Sequence, residues 1–352
     1  MTSWNPPRIA IATNNGDIGG GEVMLLNIAE ALRDLGVEPL VVGPAEPSGL
    51  VDEAQRRDFE IERVPATSRP TYMAALATWR LRNLRIPLWC NGLVPSVATS
   101  GLGPRIVHLH VVPTASQRRL VPAARFGAVR TLVPSAYLAS EFPGATVLAN
   151  WTVDLTPVVP PPSTGGPLRV GFMGRHSPDK GLDVLLRSMA EISEHRGREV
   201  RFVLAGDSRF VSADDRRAVD EAVEHVENRI ERAGWISRGE FFSGIDLAVF
   251  PSVARETFGL VAAEAMASGV PFVVSDDGAL AEVVGPTHPF VSDRGDAKDL
   301  AQVIRRALDA VVDCTASGHI EAARRRWEEL YSPAAGLRRV ADLLMSIERR
   351  KA

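Results

Sequence analysis

The sequence predicts an α/β protein with two doubly wound parallel-sheet domains. Two segments, beginning at residues 8 and 169, each contain a short apolar run, a glycine-containing loop and an amphipathic helix pattern, which is how a βαβ unit opens. A proline-rich run at 157–167 separates them, and prolines neither continue a helix nor fit centrally in a sheet. A chain of 352 residues has room for two ordinary domains. We therefore predict an N-terminal domain at 1–162 and a C-terminal domain at 167–330.

The N-terminal unit is predicted from a strand, a helix and a second strand in succession. Residues 8–13 form the first apolar run, and a helix is predicted over 22–35. Gly36 follows at the position where a glycine commonly ends a helix, and residues 39–42 form the next buried strand. The apolar positions at helical spacing are Leu25, Ile28, Ala29, Leu32 and Leu35.

The C-terminal unit repeats this pattern. A strand is predicted at 169–173, and the helix after Lys180 carries apolar residues at the same offsets. Further strands are predicted at 200–205, 247–250 and 270–275, alternating with helical patterns, which favours a parallel sheet covered on both faces. Such sheets bind ligands beyond the carboxyl ends of their strands, so we expect a site in a cleft between the two domains.

Composition excludes several functional classes. Apolar residues make up 45% and charged residues 24% of the chain, with a net charge of −3. A nucleic-acid-binding protein normally has a basic excess, so no nucleic-acid partner is expected. Two cysteines favour a reducing compartment such as the cytoplasm. The first residues lack the pattern of a secretory signal, and no apolar run is long enough to span a membrane.

Two loops at the predicted strand ends are suited to an anion. The loop at 14–21 contains four glycines and leads into a helix start, where backbone amides bind phosphate; alternatively it forms only a tight turn. It matches neither the dinucleotide nor the P-loop pattern, and no carboxylate follows the second strand, which argues against a dehydrogenase. In the loop at 174–181, Arg175 and Lys180 stand beside another helix start. Cations there oppose the helix dipole, so either an anion lies between them or they are a solvated surface pair.

A third motif places two carboxylates at one helix entrance. The helix is predicted to start near Gly259 and to end at Gly269, with Glu256 in the preceding loop and Glu264 in the first turns. A carboxylate among apolar residues is costly unless a partner binds it, and sugar hydroxyls are suitable donors. The alternative is that Glu264 lies on an exposed face of the helix.

Together these residues resemble the retaining glycosyltransferases of sequence family 4, which have the two-domain GT-B fold. The motifs that carry the resemblance are Gly19–Glu22, the divergent Asn-Gly-Val-Asp segment Asn150–Asp154, Gly174–Gly181, Gly206-Asp207 and the pair Glu256 and Glu264. Three positions depart from the family pattern: Val111 after the loop histidine, Trp151 after Asn150, and the segment Gly278–Glu282.

The resemblance implies a role for each motif residue. Arg175 and Lys180 would hold the diphosphate of a nucleotide-sugar donor, and Glu256 would bind the donor sugar. Glu264 would bind the ribose. A catalytic histidine is implied at His110, at the exit of a predicted strand. Backbone groups would assist at the diphosphate at Gly20, Gly21, Gly259, Leu260 and Val261. The residues implied beside the base and ribose are Trp235, Ile236, Ser237 and Arg238.

His108 is predicted to point to the same face as His110, because alternate strand residues share a face. The two histidines could instead bind a metal, but no nearby carboxylate or cysteine completes a site. The sequence also lacks an Asp-x-Asp motif. The resemblance implies metal-independent transfer with retention of configuration and without a cofactor. The co-substrate would be a UDP- or GDP-linked sugar, and the acceptor a glycan, a lipid-linked molecule or a small molecule.

Two other activities remain open for this fold. A non-hydrolysing sugar-nucleotide epimerase also binds a nucleotide diphosphate, although its catalytic carboxylate pattern is not evident here. The second alternative is a non-catalytic nucleotide-sugar-binding partner subunit.

Residues 63–140 contain ten arginines and no aspartate or glutamate. We expect such a surface to attract a phosphorylated or lipid-linked acceptor or an anionic membrane, with Trp79–Arg85 as the contact. Alternatively, these arginines pair with acidic residues or with solvent. The resemblance further implies that the last helix, at about 334–350, packs back on the N-terminal domain.

Overall fold

The computed structural model describes residues 6–156, 165–207, 211–224 and 226–349. The chain forms two compact units, one of residues 1–151 with 333–352 and the other of residues 152–332. The division therefore falls after Trp151, earlier than the predicted boundary. Most of the proline-rich run on which that boundary was based, residues 157–164, lies outside the described residues.

The first unit contains a seven-stranded parallel sheet. Its strands pair in the order β3-β2-β1-β4-β5-β6-β7, so β1 lies inside the sheet between β2 and β4, with Ile11 opposite both Val41 and Trp89. The strands are β1 Arg8–Ala12, β2 Glu38–Pro44, β3 Glu60–Val64, β4 Leu88–Asn91, β5 Arg105–His108, β6 Ala128–Val133 and β7 Thr146–Val147. The helices between them are α1 Gly20–Asp34, α2 Gly49–Arg56, α3 Arg69–Arg82, α4 Leu93–Ala98, α5 Ala115–Arg118, α6 Val121–Arg125 and α7 Ala136–Glu141.

The second unit contains a second sheet, ordered β11-β10-β8-β12-β13-β14, with β9 pairing antiparallel to β10. The strands are β8 Leu168–Met173, β9 Glu194–His195, β10 Arg198–Ala205, β11 Ile230–Gly234, β12 Leu247–Phe250, β13 Phe272–Ser275 and β14 Val291–Ser292. The helices are α8 Leu182–Ala190, α9 Ala213–Glu224, α10 Arg238–Ser243, α11 Leu260–Ser268, α12 Leu280–Val284, α13 Ala297–Val312 and α14 Ser317–Leu330; short 3₁₀ turns lie at Pro178–Lys180 and Glu227–Arg229.

The predicted helical spacing buries its apolar residues as expected. In α1, Leu25, Ile28 and Leu32 are fully buried against the first sheet, and in α8 Leu182, Leu185 and Met189 are fully buried against the second. The prediction of two doubly wound parallel sheets is confirmed.

The last helix, α15 Pro333–Arg349, belongs to the first unit. It packs on α1 and contributes Val340, Leu343 and Ile347 to the same buried core. Gly336 lets the helix approach Trp151, because a Cβ on Gly336 would lie 2.2 Å from the indole ring. The C-terminal helix therefore completes the hydrophobic core of the first unit.

No helix among the described residues is both long and apolar enough to cross a bilayer. Cys90 is buried and Cys314 is exposed, and both thiols are free.

Candidate functional site

The loop after β8 and the loop after β12 lie against each other. Gly181 begins α8 with φ 70°, and a Cβ there would stand 1.8 Å from the carbonyl oxygen of Pro251. The Val253 amide donates to the Asp179 carbonyl oxygen at 3.1 Å. Because parallel strands β8 and β12 are neighbours, their carboxyl ends bring two of the predicted motifs into contact.

Lys180 and Glu256 meet where these loops touch. Lys180 Nζ lies 2.6 Å from Glu256 Oε2, although 76 residues separate them in the sequence. The side chains are 32% and 16% exposed, and the Ser252 hydroxyl lies 3.4 Å from the same carboxylate oxygen. The ammonium and the carboxylate that the sequence assigned separately thus form one ion pair, open to solvent on one side.

Arg175 lies in the same loop but outside this pair. Its Nη2 is 2.7 Å from Asp179 Oδ2, and both side chains are well exposed. An exposed pair of this kind contributes little to stability, so the guanidinium can exchange its carboxylate for another anion at small cost.

The backbone of Glu256 is held by the segment that follows β13. The Glu256 amide donates to Asp277 Oδ2 at 2.7 Å, and the Glu256 carbonyl accepts from the Ala279 amide at 2.8 Å. Asp277 is fully buried, and its Oδ1 accepts from Arg294 Nη1 at 3.0 Å. Sequence reasoning missed Asp277. Two adjacent acids directly after the buried strand of 272–275 were the available signal.

Glu264 lies on the buried face of α11. The helix begins after Gly259 at φ 89° and ends at Gly269 at φ 74°, as the sequence predicts. The Glu264 side chain is 3% exposed, so the alternative of an exposed face is wrong. Burial raises the pKa of Glu264, while Arg238, whose Nε donates to Glu264 Oε1, opposes that rise.

The segment predicted beside the base has several different environments. Trp235 is strongly exposed and Ile236 is half-buried. Ser237 caps α10: its hydroxyl accepts from the Glu240 amide at 3.2 Å, and its own amide donates to Glu240 Oε2 at 2.9 Å. Arg238 is the first residue of α10, and its guanidinium is engaged with Glu264. Contact with a nucleobase stays a prediction for this segment.

In the first unit, His110 is connected to the start of α1. His110 Nε2 lies 2.6 Å from Asn91 Oδ1, and Asn91 Nδ2 donates to the Gly21 carbonyl at 3.0 Å. Since the amide nitrogen of Asn91 faces a carbonyl, its oxygen must face the histidine, which places the imidazole proton on Nε2. His110 Nδ1 is thereby an acceptor; it is buried and has no hydrogen-bond partner among the residues that the structure describes.

Burial lowers the pKa of His110 to about 4. The ring of fully buried His108 lies 4.0 Å from it, on the same side of the chain as predicted. Among the residues that the structure describes, no group of three or more His, Cys, Asp and Glu side chains could hold a metal ion. His110 is therefore suited to accept a hydrogen bond as a neutral imidazole.

The glycine loop before α1 is shaped by Glu22. This buried carboxylate accepts from Asn15 Nδ2 at 2.9 Å, from the Thr13 hydroxyl at 3.2 Å and from the Gly19 amide at 3.3 Å. Gly20 is exposed at the first position of the 15-residue helix. The start of this helix thus lies at the surface, as an anion-binding role requires.

The arginine-rich stretch is partly structural, which corrects the predicted contact segment. Arg80 and Arg105 are fully buried and donate to backbone carbonyl groups, among them those of Leu102 and Ser96. Arg80 is therefore unavailable to a partner. Leu81, Arg82 and Arg85 of the same segment are exposed.

The fold and the paired motifs define a GT-B protein. Residues 167–310 match the sequence profile of the family described as "Glycosyl transferases group 1". Together with the curated relatives, this match supports a group 1 glycosyltransferase.

Among these relatives, D-inositol 3-phosphate glycosyltransferase 2 of Catenulispora acidiphila is 26% identical, over 93% of this chain and 92% of its own length. Lipopolysaccharide 1,2-N-acetylglucosaminetransferase of Salmonella typhimurium is 30% identical, over 39% of this chain and 38% of that protein.

Of solved structures, Anabaena Alr3699/HepE in complex with UDP and glucose superposes with a TM-score of 0.82 at 21% identity, covering 96% of this chain and 99% of that one. Sucrose-phosphate synthase from Thermosynechococcus elongatus gives 0.80 at 19%, covering 97% and 98%. At these identities the structural likeness shows the fold.

Proposed function

We propose that the protein is a glycosyltransferase that moves a sugar from a UDP- or GDP-linked donor to a glycan, a lipid-linked molecule or a small-molecule acceptor, with retention of anomeric configuration. The observation that carries the proposal is the contact of Lys180 with Glu256 at the carboxyl edge of the second sheet. It joins a cation suited to the leaving phosphate with a carboxylate suited to the sugar hydroxyls.

The proposed chemistry follows from the charges of the transition state. Breaking the bond between sugar and phosphate leaves negative charge on the diphosphate and positive charge on the sugar. Lys180, Arg175 and the backbone amides at the start of α11, Gly259–Val261, are donors for the first charge. Because these groups themselves supply positive charge and hydrogen-bond donors to the leaving diphosphate, we propose that the transfer is metal-independent. The departing phosphate would itself accept the proton of the acceptor.

The other predicted residues fit donor binding. Glu264 has one carboxylate oxygen bonded to Arg238, and the ribose hydroxyls would donate to the carboxylate. His110 Nδ1 is buried and has no partner among the described residues, so a local rearrangement on donor binding would have to expose it before it accepts a hydroxyl hydrogen. With a pKa of about 4, His110 is a weak base, so we assign it hydrogen bonding to the sugar rather than proton transfer.

The direct test incubates the purified protein with a panel of UDP- and GDP-sugars and candidate acceptors. Transfer or slow donor hydrolysis supports the proposal, isomerised donor would identify an epimerase, and binding without turnover would identify a non-catalytic subunit. Thermal shift ranks the donors, since a ligand that binds the folded state raises Tm.

Variants then assign the site. Lys180→Ala is expected to lower kcat about 100-fold or more, the usual loss when a donor to a developing anion is removed. Glu256→Ala removes the carboxylate proposed to hold the donor sugar in place and is expected to lower kcat by about 100-fold through lost positioning. Glu264→Ala should chiefly raise the donor KM. Lys298→Ala removes an exposed lysine of the same unit and is the matched control. Near-normal rates in both of the first two variants would contradict the assignment.

We further propose a peripheral contact with an anionic membrane through the exposed end of α3 and the residues after it. Leu81, Arg82 and Arg85 combine apolar and cationic side chains there, and each cation near an anionic surface contributes about 1 kcal/mol. Co-sedimentation with liposomes should require anionic lipid, weaken with salt and decrease in the double variant Arg82→Ala/Arg85→Ala. Binding that is equal for neutral and anionic liposomes would remove this proposal.

A further inference from the structure

Asp277 is a buried carboxylate whose partners connect it to the proposed site. It is fully buried two residues after β13. One oxygen accepts the Glu256 amide at 2.7 Å and the other accepts Arg294 Nη1 at 3.0 Å. A buried carboxylate costs several kcal/mol unless it is paired and hydrogen-bonded. The burial of Asp277 is therefore compensated by bonds to one cation and to the backbone of Glu256.

The two residues that follow Asp277, Gly278 and Ala279, also hold the backbone of Glu256. The Ala279 amide donates to the Glu256 carbonyl oxygen at 2.8 Å. Gly278 lies between these bonds at φ 55°, so close that a Cβ would stand 2.2 Å from the Glu256 oxygen and 2.7 Å from its nitrogen. The segment Asp277–Ala279 thus fixes both polar groups of the Glu256 backbone.

The loop that carries Glu256 needs such support. Arg255 has φ 44°, a left-handed conformation that costs a non-glycine residue about 1–2 kcal/mol. Without outside hydrogen bonds, the backbone at 255 and 256 would relax to a commoner conformation and turn the Glu256 side chain away from Lys180. The contact of 2.6 Å between those side chains therefore depends on the segment Asp277–Ala279.

We infer that Asp277 is a positioning residue: it holds the Glu256 backbone so that the Glu256 carboxylate faces Lys180 and the donor sugar. Asp277 has no solvent-facing surface and acts only through Glu256. The kinetic test of this inference rests on the proposed transferase function. A second test, the distance between Lys180 and Glu256 in crystal structures, does not.

A double-mutant cycle separates positioning from general support of the fold. Asp277→Ala leaves the Glu256 amide without its acceptor and is expected to lower kcat about 10- to 100-fold, the cost of misplacing a group by about 1 Å. In the Glu256→Ala background the same change should alter kcat less than about twofold, since effects acting through one residue are not additive. Glu256 is proposed to bind the sugar, so UDP affinity by calorimetry should stay within about threefold. Equal losses in both backgrounds, or a parallel loss of UDP affinity, would overturn the inference.

Two further variants serve as controls. Asp277→Asn keeps an oxygen for the Glu256 amide and should retain kcat within about fivefold, at the cost of the charge opposite Arg294. Asp276→Ala removes the exposed neighbouring carboxylate, whose Oδ1 accepts from the Arg294 amide at 2.8 Å rather than from Glu256, and should leave kcat within about twofold. If Asp277→Ala does not fold, Asp277→Asn decides: a 100-fold lower kcat with intact UDP binding would show that the hydrogen bond to Glu256 is not the role of this residue.

Crystal structures of the parent and of Asp277→Ala give a result that does not depend on turnover. The Lys180 to Glu256 contact should be present in the parent and in Asp277→Asn and lost in Asp277→Ala. An unchanged contact in Asp277→Ala overturns the inference. A parent that neither transfers sugar nor binds UDP removes the proposed function instead and leaves the crystallographic comparison to decide on the positioning role.

Discussion

Replacing Arg238 by glutamine is expected to make the affinity for UDP more sensitive to acid. The Glu264 side chain is 3% exposed, and Arg238 Nε donates to its Oε1. Burial raises the pKa of Glu264 from its ordinary value, and Arg238 is the group that opposes this. Glutamine is shorter than arginine and uncharged, and Arg238 is exposed, so the variant changes the electrostatics more than the packing of the interior.

The magnitude follows from the separation and exposure of the pair. Two unit charges about 4 Å apart interact by about 4 kcal/mol at an effective dielectric constant of 20 and by about 1 kcal/mol in water. The Arg238 side chain is 44% exposed, so solvent screening favours the lower part of this range. A loss of about 1.4 kcal/mol of this attraction corresponds to about a tenfold change in an equilibrium constant, and it raises the pKa of Glu264 further above its ordinary value.

The effect of Arg238→Gln on UDP affinity and its effect on thermal stability should depend on pH in opposite directions. In the proposed ribose contact the hydroxyls donate to the ionised carboxylate of Glu264, so the ratio of the UDP Kd of the variant to that of the parent should rise as pH falls from 8.5 to 5, approaching about tenfold for a loss of about 1.4 kcal/mol. Stability should change in the opposite direction. A carboxyl whose pKa is raised by folding stabilises the protein at low pH and loses that contribution as pH rises, so the variant should have its largest Tm deficit at pH 8.5.

Calorimetric titration with UDP and thermal shift at four pH values between 5 and 8.5 measure both trends. Arg238→Lys retains the charge and should behave as the parent does. A Kd ratio that is constant across this range would refute the reasoning, because loss of packing alone has no pH dependence.

Three other predictions test the fold and the histidine. Gly336→Ala should lower the free energy of unfolding by about 1–3 kcal/mol, since its methyl would stand 2.2 Å from Trp151, whereas Gly318→Ala in α14, with open space around it, should raise it by about 0.5–1 kcal/mol; urea unfolding measures both. Arg80→Ala should cost about 3 kcal/mol or more, because four backbone carbonyl groups lose a buried donor. The His110 imidazole should titrate near pH 4 in an NMR experiment assigned with His110→Gln, and a midpoint near 6.5 would contradict its burial.

The fold could be predicted because its information is local. Apolar runs of four to six residues and helical spacing identified β1, α1, β8 and α8, and the glycines at 259 and 269 located both ends of α11. Left-handed φ angles at those two positions explain the success: few other residues adopt them, so the sequence records where the helix stops.

The site could be predicted only as a set of residues, because its pairings join distant segments. Lys180 and Glu256 are 76 positions apart, and Arg238 and Glu264 are 26 apart. Spacing along the chain does not encode which cation meets which carboxylate. Spacing along the chain also does not reveal that Arg80 is buried. Its sequence neighbourhood is rich in arginine and looks exposed, but its guanidinium donates to carbonyl groups of residues 83–104 in the interior.

The contact of Lys180 with Glu256 has a consequence for the proposed reaction. An ammonium group has three hydrogen-bond donors, and Glu256 uses one of them. Lys180 can therefore keep this bond and still donate to a phosphate oxygen, so the group proposed to hold the sugar and the group proposed to stabilise the leaving diphosphate would stay joined throughout. Because the scissile bond lies between sugar and phosphate, a fixed distance between their binding groups is what positioning for that cleavage requires. Arginine would be a poor substitute, since its longer side chain holds all its donors in one plane, whereas the compact ammonium directs its three donors tetrahedrally and can bond a carboxylate and a phosphate that are not coplanar with it.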